Sequence, residues 1–131
     1  MKITIHQTHL TIADFDEILH YLKKNFSQNS QGIHVFPELF LCGYPLQDLC
    51  LQKSFINEYL RAFKKIEAWI QENLNLKQVS LLMGGLDYQL TEHGLPHSIK
   101  NSVFQIGPHL NFKNIYTKPV SYTHLRAHET D

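Results

Sequence analysis

Residues 2–7 (Lys2-Ile3-Thr4-Ile5-His6-Gln7) alternate polar and apolar with period two and set β-branched Ile3 and Ile5 on one face, which predicts a short strand. Thr11-Ile12-Ala13-Asp14 then reads as a helix N-terminus, because Thr and Asp side chains accept the orphan N–H groups of a first turn. Phe15, Ile18, Leu19, Leu22 and Phe26 follow at spacings of three and four and make one apolar stripe, with polar residues over 25–30 ending the helix. Gly32 precedes a second apolar run, Ile33-His34-Val35-Phe36. Pro37 donates nothing to a sheet ladder, so this strand should stop there and leave Glu38 at its C-terminal edge.

The next periodic segment is long. Ile56, Leu60, Phe63, Ile66, Ile70 and Leu74 mark an amphipathic helix over 52–74, with Lys64, Lys65, Glu67 and Glu72 on its polar faces. A buried strand is expected over 79–83, ended by Gly84-Gly85, and then a polar loop over 87–97. Residues 101–106 and 110–116 flank Gly107-Pro108-His109 and predict an antiparallel hairpin. Strands separated by helices early and joined by a hairpin late imply an α/β architecture with a mixed sheet. In such sheets ligands bind at the C-terminal strand edge, which is where Glu38 stands.

At 131 residues the chain has the length of one ordinary domain, and 43% hydrophobic residues can fill a core. Twelve basic residues balance twelve acidic ones, so there is no electrostatic reason to expect nucleic acid or an anionic membrane as partner. No apolar run approaches a membrane span and no signal-peptide core opens the chain, so a cytoplasmic protein is the default expectation. Cys42 and Cys50 are too few for a disulfide framework and read as reduced thiols in packing roles. The pairs His93/His97 and His124/His128 have H-x3-H spacing without a third ligand, so no bound metal is expected. Gly84-Gly85 lacks the spacing and lysine of a phosphate loop.

The stretch richest in chemistry runs from Phe36-Pro37-Glu38-Leu39 through Gly43-Tyr44-Pro45 to Asp48-Leu49. On residue types alone, Glu38 is a salt-bridged or loop-capping carboxylate or a catalytic one, and Tyr44 is a core aromatic or a pocket residue. The stretch resembles the Phe-Pro-Glu-Leu-x-x-x-Gly-Tyr-Pro-x-x-Asp-Leu pattern of the nitrilase (carbon–nitrogen hydrolase) superfamily. Within it, the Gly-Tyr-Pro and Asp-Leu pairs resemble the glutaminase domains of glutamine-dependent NAD synthetases. Ile3 to Gln7, Gly84-Gly85, Asn101-Ser102, Gly107 and Lys118 agree in order, so the likeness covers about residues 1–119.

The resemblance implies the N-terminal part of a nitrilase-like α-β-β-α sandwich, truncated, over 1–119. Glu38 would relay protons, Lys118 would stabilise the oxyanion and Tyr44 would line the glutamine pocket. The chemistry demands such groups: a thiol needs a neighbouring base, and a developing negative oxygen needs a fixed cation. The family's nucleophilic cysteine follows its lysine, and no cysteine follows Lys118 here, so the chain itself is expected to be inactive. Residues 120–131 depart from the family and read as a non-native tail, with His124 where a second pocket tyrosine is called for. The intact parent would use glutamine as substrate and would be a homo-oligomer. No cofactor is expected in this chain; ATP and magnesium would serve a synthetase domain lying elsewhere. Two alternatives stand beside this: another nitrilase or amidase sharing Glu38 and Lys118, and a non-catalytic binding module.

Overall fold

A computed structural model describes residues 2–8, 10–11, 13–43, 47–108 and 112–118. Strand β1 (Ile3–Ile5), helix α1 (Phe15–Asn25) and strand β2 (Gly32–Val35) come first. A 3-10 turn (Gln47–Leu51) leads into α2 (Lys53–Asn73), followed by β3 (Val79–Leu90), β4 (Pro96–Ile106) and β5 (Lys113–Lys118). The five strands form one mixed sheet in the order β1-β2-β3-β4-β5, with β1, β2 and β3 parallel and β3, β4 and β5 antiparallel.

Helix α1 begins where the sequence places it. The Asp14 carboxylate accepts the Glu17 N–H at 3.0 Å, an N-cap contributing about 1 kcal/mol, and the Glu17 carboxylate reaches back to accept the Thr11 N–H at 3.1 Å. Ile18, Leu19 and Leu22 of α1 and Phe55, Ile56, Tyr59, Ile66 and Ile70 of α2 are buried. They meet Leu81 and Met83 of β3 and Phe104 and Ile106 of β4, alternate residues that turn to one side of the sheet. The opposite side carries Ile3 (62% exposed), Ile5 (71%) and Tyr116 (58%), so among the described residues that side is open at the outer strands β1 and β5.

Two expectations need correcting. Gly84-Gly85 does not end β3, which continues to Leu90, and β4 begins at Pro96, so the polar loop shrinks to residues 91–95. Ten register pairs with β4, from Leu81↔Ile106 to Leu90↔Pro96, supply the ladder that overrides the local weakness of two glycines. The last strand starts at Lys113 and reaches Lys118, later than its apolar pattern predicts.

The overrun of β3 past β2 leaves ladder groups without a strand partner, and loops and one side chain take them. Phe36 N–H donates to the Leu82 carbonyl at 2.9 Å and Leu41 N–H to the Gly84 carbonyl at 2.9 Å. Beyond these, the buried Tyr59 hydroxyl accepts the Leu86 N–H and donates to the Leu86 carbonyl, both at 2.8 Å. A single phenol thus replaces a missing strand, which satisfies two main-chain groups that would otherwise be buried unpaired. Its burial pushes the phenol well above its ordinary pKa.

Candidate active site

The turn that carries Glu38 is wound against β3. Phe40 N–H bonds the Pro37 carbonyl, and Cys42 and Gly43 N–H both bond the Leu39 carbonyl, at 3.1, 3.0 and 2.8 Å. Leu39 is buried with φ +56°, in the left-handed region that costs a non-glycine residue about 1–2 kcal/mol. The turn can lie this close because residue 84 is glycine: a Cβ there would stand 2.6 Å from both the Leu39 nitrogen and the Pro37 oxygen. Gly84 is therefore a close-approach residue rather than a strand breaker.

Glu38 emerges exposed from this turn, at the C-terminal end of β2. It borders two cavities. One of about 450 Å³ lies toward Thr8, Leu10, Thr11 and Gly43, and one of about 260 Å³ toward Gly84, Asn101, Ser102 and Tyr116. In the second, the Asn101 side-chain amide donates to Glu38 Oε1 at 2.5 Å. Asn101 is 7% exposed and faces Lys118 across the β4–β5 ladder. The sheet thus brings Glu38 to Asn101, and Asn101 to the main chain of Lys118. The Lys118 side chain and the whole of Tyr44 lie outside the described residues.

Asn101 received no chemical role from sequence. Asn101 stands beside Lys100 and Ser102 in a strand of mixed polarity, so no local signal singles it out, and its carboxylate partner is 63 residues away. Cys42 and Cys50 are fully buried, and burial, with Cys50 nearby, pushes the Cys42 thiol far above its ordinary value. A thiol held protonated in this way is a packing group and a poor nucleophile. Among the described residues no group of three or more His, Cys, Asp or Glu side chains could hold a metal, and His93 sits in the β3–β4 loop beside Glu92 at 3.5 Å. His124 and His128 lie outside the described residues. No described helix is long and apolar enough to cross a membrane.

No protein-family model matches the chain. The chain is 36% identical over 93 residues to a glutamine-dependent NAD(+) synthetase of Thermotoga maritima, a match covering 66% of this chain. A second such synthetase, from Aquifex aeolicus, is 35% identical over 68 residues, or 50% of the chain. The chain corresponds to a fragment of such a synthetase. Its matches span 15% and 12% of the length of those relatives. Two solved structures share the fold. A glutamine-dependent NAD(+) synthetase from Cytophaga hutchinsonii superposes with a TM-score of 0.55 at 18% identity, over 85% of this chain and 17% of that one. The synthetase from Acinetobacter baumannii, solved with ADP, gives 0.57 at 23% over 91% and 21%. The α/β architecture with its mixed sheet is thus that of part of these enzymes.

Proposed function

We propose that residues 1–119 are the N-terminal part of a glutaminase domain that releases ammonia from glutamine for an NAD synthetase, and that Glu38 and Lys118 belong to its catalytic set. The observation that carries this is the Glu38–Asn101 hydrogen bond with Asn101 in register with Lys118, which joins the strand-edge acid to the strand that bears the lysine. Glu38 stands between two cavities, so a substrate amide and a nucleophile can approach its carboxylate from different sides.

In the reaction, a cysteine thiol gives its proton to Glu38 as its sulfur bonds the amide carbon, and the carbonyl oxygen takes the electron pair beside Lys118. Glu38 returns the proton to the nitrogen, which leaves as ammonia. Water then cleaves the thioester to glutamate with Glu38 taking its proton, and the thiol is restored. The sulfur comes from outside residues 1–131, because Cys42 and Cys50 are buried in the core. Tyr44, in Gly43-Tyr44-Pro45, is assigned to the glutamine pocket on its motif. ATP and magnesium do not fit this chain: it has no phosphate loop and, among the described residues, no cluster of metal ligands. They are assigned to another part of the parent, which acts in the cytoplasm as a homo-oligomer.

The test is a chimera in which residues 1–119 replace the corresponding segment of the Thermotoga synthetase. Glutaminase activity should be present and should fall about 100-fold or more in Glu38→Gln and Lys118→Ala, the size expected for a proton relay and an oxyanion donor. Lys113→Ala should leave it unchanged. A chimera with full activity in Glu38→Gln would refute the assignment.

A further inference from the structure

A directed chain of hydrogen bonds lies beneath the candidate site. His34 Nε2 is 2.9 Å from the Gln31 carbonyl oxygen, which can only accept, so that nitrogen carries a hydrogen. Nδ1 of neutral His34 is then an acceptor, and it lies 2.9 Å from His6 Nε2, which must donate. His6 Nδ1 in turn accepts, from the Tyr21 hydroxyl at 2.7 Å. One carbonyl thus fixes the tautomer of both rings and the direction of three bonds that join the end of β1, β2 and α1.

The surroundings are aromatic. His6 stacks on Phe36 with centroids 4.4 Å apart and 5° between planes, and Phe26 packs on both imidazoles at 5.4 and 4.8 Å. Among the described residues the titratable groups facing His6 are Tyr21 from α1 and His34 from β2. Phe36 directly precedes Pro37-Glu38, so the stack ties the clasp to the site turn.

One added proton keeps every bond matched. On His6, Nδ1–H donates to the Tyr21 oxygen; on His34, Nδ1–H donates to His6 Nε2, and His6 turns its remaining hydrogen to Tyr21. Two added protons set N–H against N–H across 2.9 Å, with two like charges in a cage of phenyl rings. We propose that His6 and His34 act as one proton-binding unit, a pH-gated clasp that tolerates a single proton and releases the end of β1 from α1 and β2 when a second binds. Burial first, and His34 next, hold the His6 pKa below the ordinary 6.5. The unfolded chain therefore binds more protons around that pH, and stability present above it is lost as pH falls toward the depressed value. The clasp stands whether or not Glu38 is catalytic.

The experiment is ring 15N–1H correlation NMR of residues 1–131, titrated from about pH 8 to about pH 4 to bracket the imidazole range. Both rings should start as the Nε2–H tautomer, and each should record two steps, the second at least about one pH unit below the first, as interacting sites do. His6→Phe keeps a ring to stack on Phe36 and should reduce His34 to a single step. A neutral Nδ1–H tautomer at His34, or independent single-step curves for the two rings of the parent chain, would overturn the clasp. The parent titration decides the matter even if the variant does not fold.

Discussion

Replacing Gly84 by alanine puts a methyl group into the backbone of the site turn. The new Cβ would meet the Leu39 nitrogen and the Pro37 oxygen at 2.6 Å and the Glu38 carbonyl carbon at 3.0 Å, where ordinary contact begins at 3.4 Å. These are main-chain atoms, so no side chain can swing aside, and the turn must retreat by about 0.8 Å, the difference between the two distances, into an already close-packed core. A retreat of that size stretches the Leu41 N–H bond to the Gly84 carbonyl, now 2.9 Å, past useful length. Losing that bond costs about 1 kcal/mol and overpacking about 1–3 kcal/mol, so the expected total is about 2–4 kcal/mol. For a domain of this size that lowers Tm by roughly 10 °C.

Gly94→Ala is the control. That glycine has φ +78°, which Gly84 does not, but its nearest neighbour is the flexible Lys53 side chain at 3.5 Å, so only the left-handed conformational cost of about 1–2 kcal/mol applies. Differential scanning calorimetry of both variants measures the contrast, and the Asn101 side-chain amide resonances show whether Glu38 has moved. Equal Tm losses in the two variants, with an unshifted Asn101 amide in Gly84→Ala, would refute the idea that residue 84 is glycine to admit the turn.

Two more outcomes follow from the same packing. Tyr59→Phe keeps the ring stacked on Phe55 but strands the Leu86 N–H and carbonyl, and should cost about 2–6 kcal/mol in urea denaturation, since each buried unpaired group costs about 1–3 kcal/mol. A loss under about 0.5 kcal/mol would mean that those groups find other partners. Cys42 and Cys50 should resist a thiol reagent under native conditions at neutral pH and react only at the rate of unfolding; fast labelling of either would contradict their burial and the raised Cys42 pKa.

Local physics is enough to read the first half of the chain. The period-two run at Ile3 and Ile5, the Asp14 cap, the α2 stripe and the stop at Pro37 each depend on neighbours within a few residues, and their elements lie where the pattern puts them. The family likeness was also legible, because its motif is contiguous. What the sequence could not decide is set by groups far apart in the chain. The β3 strand passes through two glycines because β4 pairs with it and because Gly84 must admit residues 37–39, a steric demand visible only once the turn is in place. Asn101 meets Glu38, and Tyr59 caps Leu86, because the sheet order lays β4 beside β3 and α2 across both. Hydrogen-bond partners of that kind answer to the geometry of the whole sheet, and no spacing along the chain encodes them.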